Sequence, residues 1–418
     1  MVRVILHPAR EEWLRHRLAL PLVRMSPSAA RSQTDLWIVL AAAILLALAA
    51  GSVLHFSAPV APARLQVLND IVAGRSVAYT PYPIGYIELA GHALRWNAKH
   101  GLTAVQGLLY ILTVLLSFAV LRDLGAPGRW PLIGALAVAI YPNLLLTIAR
   151  FQDTCISGFF MMAFVWLVVR LKREGLTPSS AATAGLLFGA MLLVRPNVLT
   201  IAPIALWAAF YGRKIDARQI ALVAGSAVLA LGVLAAVLIP AKGSLLVFDP
   251  YYAADAFANG NHQHALGGTL RDYNGEMTMP RSFQELGLPL KGLDVRDDAL
   301  AAEYRSVAWR FIRENPGKYV LLELVKIANI FRPDYRNAER SAIPRFIALP
   351  VQTAIAAIFF VWCFLRWRSG RKFHLNEGFY VVPLLVLYFG PFVIAASDPR
   401  YRFPIDALLI VDSVLCLT

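Results

Sequence analysis

The chain alternates apolar runs with short polar connectors, and the lengths of the runs carry most of the information. A helix rises about 1.5 Å per residue, so crossing about 30 Å of hydrocarbon takes about 20 mainly apolar residues. Runs of this kind fall at 36–56, 102–121, 130–149, 154–171, 180–195, 197–211, 219–240, 344–365, 378–396 and 405–418. The pattern predicts an all-α polytopic membrane protein of about 10 transmembrane helices, with 11 or 12 the nearest other counts. Several runs are short, which predicts tilted or partly sunken helices. No internal repeat or low-complexity tract divides residues 35–418, so one transmembrane domain is expected.

The connectors carry the orientation. Arg122 and Arg129, then Arg170, Lys172 and Arg173, then Arg213, Lys214 and Arg218, then Arg366, Arg368, Arg371 and Lys372 fall on one side of such an arrangement. An excess of Lys and Arg marks the cytoplasmic side. The N-terminal segment 1–34 belongs there too, with six arginines in its first 32 residues and Trp13, Leu14 and Leu18 on one face. It is read as an interfacial helix or as a basic tail that sets topology.

Two connectors are long, 57–101 and 242–343, and both land on the opposite side. The first holds helical patterns at 62–74 and 84–96 around the turn YTPYP. The second contains GKYVLLELVKIANIF at 317–331, short for a span and carrying Glu323 and Lys326 at i, i+3. It predicts an amphipathic juxtamembrane helix on the outer face.

Composition excludes an ordinary soluble domain: 58% of residues are hydrophobic, 16% charged, and mean hydropathy is +0.57. The net charge of +14 resides in the connectors, so membrane lipids rather than nucleic acid are the expected partners. Cys155, Cys363 and Cys416 all lie in apolar runs and make no disulfide framework or metal cluster.

The most informative polar interruption is AASDPRYRFPID, 395–406, which wedges Asp398, Arg400, Tyr401, Arg402 and Asp406 between two apolar runs. A charge inside the bilayer costs about 3 kcal/mol unless it is paired, snorkelled or engaged by a ligand. Two arginines and a tyrosine at such a rim suit a lipid phosphate, whose oxygens the guanidinium fork meets bidentately. Arg195, just before Pro196 at the end of a run, needs an anion as well, either a phosphate or a carboxylate such as Asp153. Asp153 begins a helix and has an alternative role as its N-cap. Lys326 can reach an anion or simply pair with Glu323.

Six segments occur in a telling order: NDIVAGRSVAYTPYPIGY (69–86), YPNLLLTIARFQD (141–153), LLVRPNVL (192–199), NGNHQHALGG (259–268), ENPGKYVLLELVKI (314–327) with FRP (331–333), and DPRYRFP (398–404). The succession resembles the GT-C glycosyltransferase superfamily, specifically members similar to bacterial protein O-mannosyltransferases and the lipid A aminoarabinose transferase. The resemblance implies a helical bundle with juxtamembrane helices over a cavity on the periplasmic side of the bacterial inner membrane. It implies transfer of a sugar, with inversion, from a polyprenyl-phosphate donor to a lipid, glycan or protein acceptor. No cofactor is expected. Some relatives bind a divalent ion, but His262 and His264 lack evident further ligands.

Residue by residue, the resemblance puts Asp153 beside the sugar. It puts Arg195, Arg400, Arg402, Tyr401 and Lys326 near the donor phosphate, with Arg332 also in reach. Asn259, Asn261, His262 and His264, with Asp255 upstream, would line the sugar or acceptor. The sequence departs from the family after the first span, where relatives carry an acid and SAPVAPAR (57–64) has none. Asp70 is the nearest candidate base, and His55 titrates in a suitable range. The gap leaves a non-catalytic carrier or scaffold as the alternative function, with a transporter of similar architecture behind it. The transferase expectation is that Asp153, Arg195 and Arg400 converge on one outer cavity.

Overall fold

The computed structural model describes residues 27–53, 69–75, 83–98, 100–149, 152–242, 245, 250–265, 298–331, 381–395 and 402–417, with isolated positions between 354 and 368. All their regular elements are helices. The first five are α1 (Pro27–Val53), α2 (Ile84–Trp96), α3 (Gly101–Asp123), α4 (Trp130–Ala139) and α5 (Pro142–Ile148). Next come α6 (Thr154–Glu174), α7 (Pro178–Val194), a 3₁₀ turn (Pro196–Ile201), α8 (Ala202–Phe210) and α9 (Ala217–Lys242). The chain continues with α10 (Pro250–Gly260), α11 (Asp298–Glu314), α12 (Pro316–Phe331), α13 (Val381–Ile394) and α14 (Phe403–Leu417).

Among the described residues, α1, α3, α6 and α9 are long and apolar enough to cross a membrane. The α4–α5 pair makes a fifth if counted as one span. This is a helical membrane protein. The expected continuous span at 130–149 is instead two helices bent by 52°. Pro142 has no N–H to continue α4 and forces Tyr141 into extended backbone, at φ −69° and ψ 118°. Arg195 before Pro196 does the same at φ −147° and ψ 98°, separating α7 from the 3₁₀ turn and α8. At 17 residues α7 is only about 26 Å long. The run at 344–365, apart from isolated positions, and the basic segment 1–26 lie outside the described residues.

Among the described residues, the basic connectors at 122–129, 170–173 and 213–218 gather at one end of the bundle. Arg173, at the end of α6, pairs with Asp123, at the end of α3, at 3.3 Å. Arg213 donates to the Lys172 carbonyl at 3.1 Å. At the other end Gln106 of α3 donates to the Ile148 carbonyl of α5 at 2.9 Å. Helices α3 and α6 therefore run parallel, and α7 returns antiparallel to carry Arg195 back toward the start of α6.

Close helix approach depends on glycine where α7 meets α9. A Cβ on Gly185 would lie 2.5 Å from the Ser226 carbonyl oxygen, and one on Gly189 would lie 2.7 Å from Val233 Cβ. The GLLFG spacing puts both glycines on one face, so α9 seats directly on the α7 backbone. Most of α9 otherwise faces outward, with Ile220, Val228, Leu231 and Ile239 exposed to the hydrocarbon such a surface requires.

Substituting Gly189→Leu should destabilise the folded protein by about 1–3 kcal/mol, the usual range for overpacking. Gly232→Ala, which meets no atom within 4 Å, should be neutral or slightly stabilising. Thermal unfolding in detergent compares the two. Equal midpoints would rule out the proposed seating of α9.

Candidate functional site

Asp153 ends the polar stretch before α6, and Arg195 ends α7. The carboxylate accepts from Arg195 Nε at 2.8 Å, and Arg195 Nη1 donates to the Tyr388 hydroxyl of α13 at 3.0 Å. Asp153 stands at the N-cap position of α6, yet its side chain makes no cap hydrogen bond. The carboxylate is committed to the guanidinium instead. The Arg195 side chain is 9% exposed and that of Asp153 25%, so the acid is the reachable member of the pair. The Arg195–Pro196 break positions the cation, because it ends α7 at this depth and releases the side chain toward α6.

A second pair stands at the start of α14. Arg402 Nε donates to Asp406 Oδ1 at 2.8 Å. Asp406 Oδ2 accepts from Tyr141 OH at 3.0 Å and from Asn143 Nδ2 at 3.1 Å. Tyr141 and Asn143 flank Pro142, so the bend between α4 and α5 delivers both side chains to Asp406. The i, i+4 spacing of Arg402 and Asp406 brings them together across one turn, with the carboxylate in the favourable first turn of α14. The two pairs are neighbours: α14 begins against α6, and a Cβ on Gly158 would lie 3.6 Å from the Pro404 carbonyl oxygen.

A third buried cation ties α12 to the rest. Lys326 is fully buried and donates to Glu323 Oε1 at 2.7 Å, Asn261 Oδ1 at 2.9 Å and the Ile394 carbonyl at 3.4 Å. An ammonium has three protons, and these partners account for all of them, so in this conformation Lys326 has none to offer a phosphate. Desolvation lowers its pKa, and the Glu323 carboxylate opposes that shift. Asn261 Nδ2 also donates to the Ile394 carbonyl, at 2.9 Å. Helix α12 buries Leu322, Lys326 and Ile330 and exposes Val320, Leu321, Leu324 and Ile327, so its outward face is apolar and its charged Lys326 turns inward against the protein.

The Asn-Gly-Asn-His segment closes α10. Asn259 Nδ2 donates to Asp255 Oδ2 at 3.1 Å, and the His264 backbone N–H donates to His262 Nδ1 at 3.2 Å. That bond occupies the Nδ1 lone pair and makes the nitrogen an acceptor rather than a metal ligand. Among the described residues no three metal-ligating side chains gather. Burial pushes the Asp255 carboxyl up to about 6, against the Asn259 hydrogen bond. Burial, reinforced by His264 and Lys318, pushes the His262 imidazole down to about 4.

Asp70 is placed differently. Its carboxylate takes both Nε and Nη2 of Arg75, at 2.8 and 2.6 Å, on an exposed surface. The neighbouring Ile71 packs tightly under Gly91 of α2, in one apolar cluster with Ile156 and Val194. The turn therefore docks at the Asp153 end, with its acid held by a local arginine. Arg400, Tyr401, His55 and Arg332 lie outside the described residues. Tyr388, Tyr141 and Asn143 were not singled out from the sequence. Tyr388 is one aromatic in an apolar run and gives no signal there. Pro142 itself is the cue to the bend, and the bend is what delivers Tyr141 and Asn143.

No protein-family model, characterised protein or solved structure matches the chain.

The two shifted groups near the end of α10 have opposite consequences for stability. Folded Asp255 holds its proton more tightly than the unfolded chain. Its stabilisation is present below its ordinary value of 3.8 and is lost as pH rises to about 6. Folded His262 releases its proton more readily, so stability is gained as pH rises from about 4 to its ordinary 6.5. Hydrogen exchange across residues 250–265 should therefore be nearly flat with pH in the wild type. Protection should fall with rising pH in His262→Gln and rise in Asp255→Asn. The same slope in both variants would disprove the assignment.

Proposed function

We propose that this protein is a membrane glycosyltransferase that uses a polyprenyl-phosphate-linked sugar and acts on a lipid, glycan or protein at the periplasmic face of a bacterial inner membrane. The observation that carries the proposal is the Asp153–Arg195 pair at 2.8 Å, with its acid partly open and a second buried arginine, Arg402, at the adjoining helix start. The described basic connectors collect at the opposite end, which on the positive-inside rule turns Asp153 outward.

The chemistry matches these groups. Asp153 accepts the proton of an acceptor hydroxyl as its oxygen attacks the anomeric carbon. The bond from that carbon to the donor phosphate oxygen breaks, and polyprenyl phosphate leaves with the electron pair. A single displacement inverts the anomeric centre. Arg195 and Arg402 lie in low-dielectric surroundings, where a cation stabilises the departing anion more strongly than in water. Asn259, His262, His264 and Asp255 offer donors and acceptors to sugar hydroxyls, while Asn261 is committed to Lys326 and the Ile394 carbonyl.

A non-catalytic carrier is the second proposal. Two observations favour it: both guanidinium groups already hold carboxylates, and residues 57–64 contain no acid.

Protein in proteoliposomes, given a polyprenyl-phosphate sugar and candidate acceptors, should release polyprenyl phosphate. Asp153→Asn should lower kcat by about 10²–10⁴-fold, the range for loss of a general base, while donor still binds. Donor binding without turnover in the wild type would establish the carrier. Full turnover by Asp153→Asn would remove Asp153 from the chemistry.

A further inference from the structure

Asp406 is 2% exposed, and three groups from two other points of the chain converge on it. Its Oδ1 takes the Nε edge of Arg402 at 2.8 Å, while its Oδ2 takes Tyr141 OH at 3.0 Å and Asn143 Nδ2 at 3.1 Å. A guanidinium is planar, so fixing one edge fixes the direction of the other. The opposite side of Arg402 faces the end of α12, where Nη1 meets the Ile330 carbonyl at 3.4 Å. That contact is long for an N–H···O bond, whereas the Nε contact has the length of a charge-assisted one. The Nε edge of Arg402 is thus anchored by a short charge-assisted contact, and its Nη1 contact with the Ile330 carbonyl is the longer one.

We propose that Asp406, braced by Tyr141 and Asn143, is a positioning residue that orients Arg402 so that its Nη side receives the phosphate of a polyprenyl-phosphate lipid. The proposal rests on the transferase reading for the identity of the anion, and it assigns a role to a carboxylate that touches no substrate. In it, the phosphate replaces the Ile330 carbonyl as acceptor while the Nε–Asp406 contact persists.

Charge alone predicts the reverse effect of removing this acid. Asp406 is a negative group beside an anion site and neutralises the cation that would bind the anion. If it acted only through its charge, its loss would strengthen phosphate binding. If it acts by orientation, its loss weakens binding, because Asn in its place presents an amide donor where Tyr141 and Asn143 supply donors already.

The test is titration of undecaprenyl phosphate into the full chain in lipid nanodiscs, followed by tryptophan fluorescence. Asp406→Asn should weaken binding about tenfold, the size of one hydrogen bond to a charged group. Arg402→Ala should weaken it at least as much. In the Arg402→Ala background, Asp406→Asn should add nothing further, which a general structural role would not reproduce. Unchanged or tighter binding by Asp406→Asn, or losses that add in the double variant, would overturn the positioning role alone. Wild-type binding by Arg402→Ala would overturn the phosphate assignment and the positioning role with it. If Asp406→Asn fails to fold, Tyr141→Phe carries the same test. A loss of about threefold that vanishes without Arg402 sustains the proposal, and no loss overturns it.

Discussion

A charge inside a helical membrane bundle has no water to solvate it, so each buried cation must find its own counter-ion and acceptors. Arg195 takes Asp153 and the Tyr388 hydroxyl. Arg402 takes Asp406 and the Ile330 carbonyl. Lys326 takes Glu323, Asn261 and the Ile394 carbonyl. Burying one such ion alone costs several kcal/mol, and removing one partner of a buried pair typically costs about 3–5 kcal/mol. These contacts therefore constrain where helices α6, α7, α12, α13 and α14 begin and end.

Backbone satisfaction and charge satisfaction are solved together. The last carbonyls of a helix have no partner within it, and cations are favoured beside them. Ile394 ends α13 and receives Lys326 and Asn261, and Ile330 near the end of α12 receives Arg402. Lys326 and Arg402 thus each close the end of a helix other than their own, whereas Arg195 is held by side chains alone. The prolines at 142 and 196 belong to the same arrangement. Each breaks a helix where a polar side chain is delivered to a charge, Tyr141 and Asn143 to Asp406 and Arg195 to Asp153. Irregular backbone at this depth is tolerated because it is buried in protein and its groups are used.

For function the consequence is preorganisation. A site built from charges already held in place needs little rearrangement when a new charge develops, which is the condition for electrostatic stabilisation of a leaving anion. Under the proposed transferase function it also sets a competition, since an incoming phosphate would meet guanidinium groups that already have acceptors, and the longest of those contacts is that of Arg402 with the Ile330 carbonyl.

The apolar runs marked the long helices closely, since burial in hydrocarbon demands length and composition that any window along the chain reveals. Helix α2 runs from Ile84 to Trp96, as its turn signals imply, whereas α12 turns its apolar residues outward and buries Lys326. Asp153 was legible as one of two partners for Arg195, because a lone arginine at the end of an apolar run requires an anion, whether a phosphate or a carboxylate. Spacing also brought out Lys326 with Glu323, since partners three apart meet on a helix. Arg402 was matched to a phosphate, and its pairing with Asp406 emerges only in the structure. The bend at Pro142 was open to inference from the proline but was read as a continuous span. Tyr388, Tyr141 and Asn143 are separated from their partners by 193, 265 and 263 residues, and no local pattern encodes such meetings. The same holds for Asp70, whose acid went to Arg75 although the chain beside it docks near Asp153. Local chemistry states which groups need partners, whereas only the packing of helices distant in the chain selects the partner each one receives.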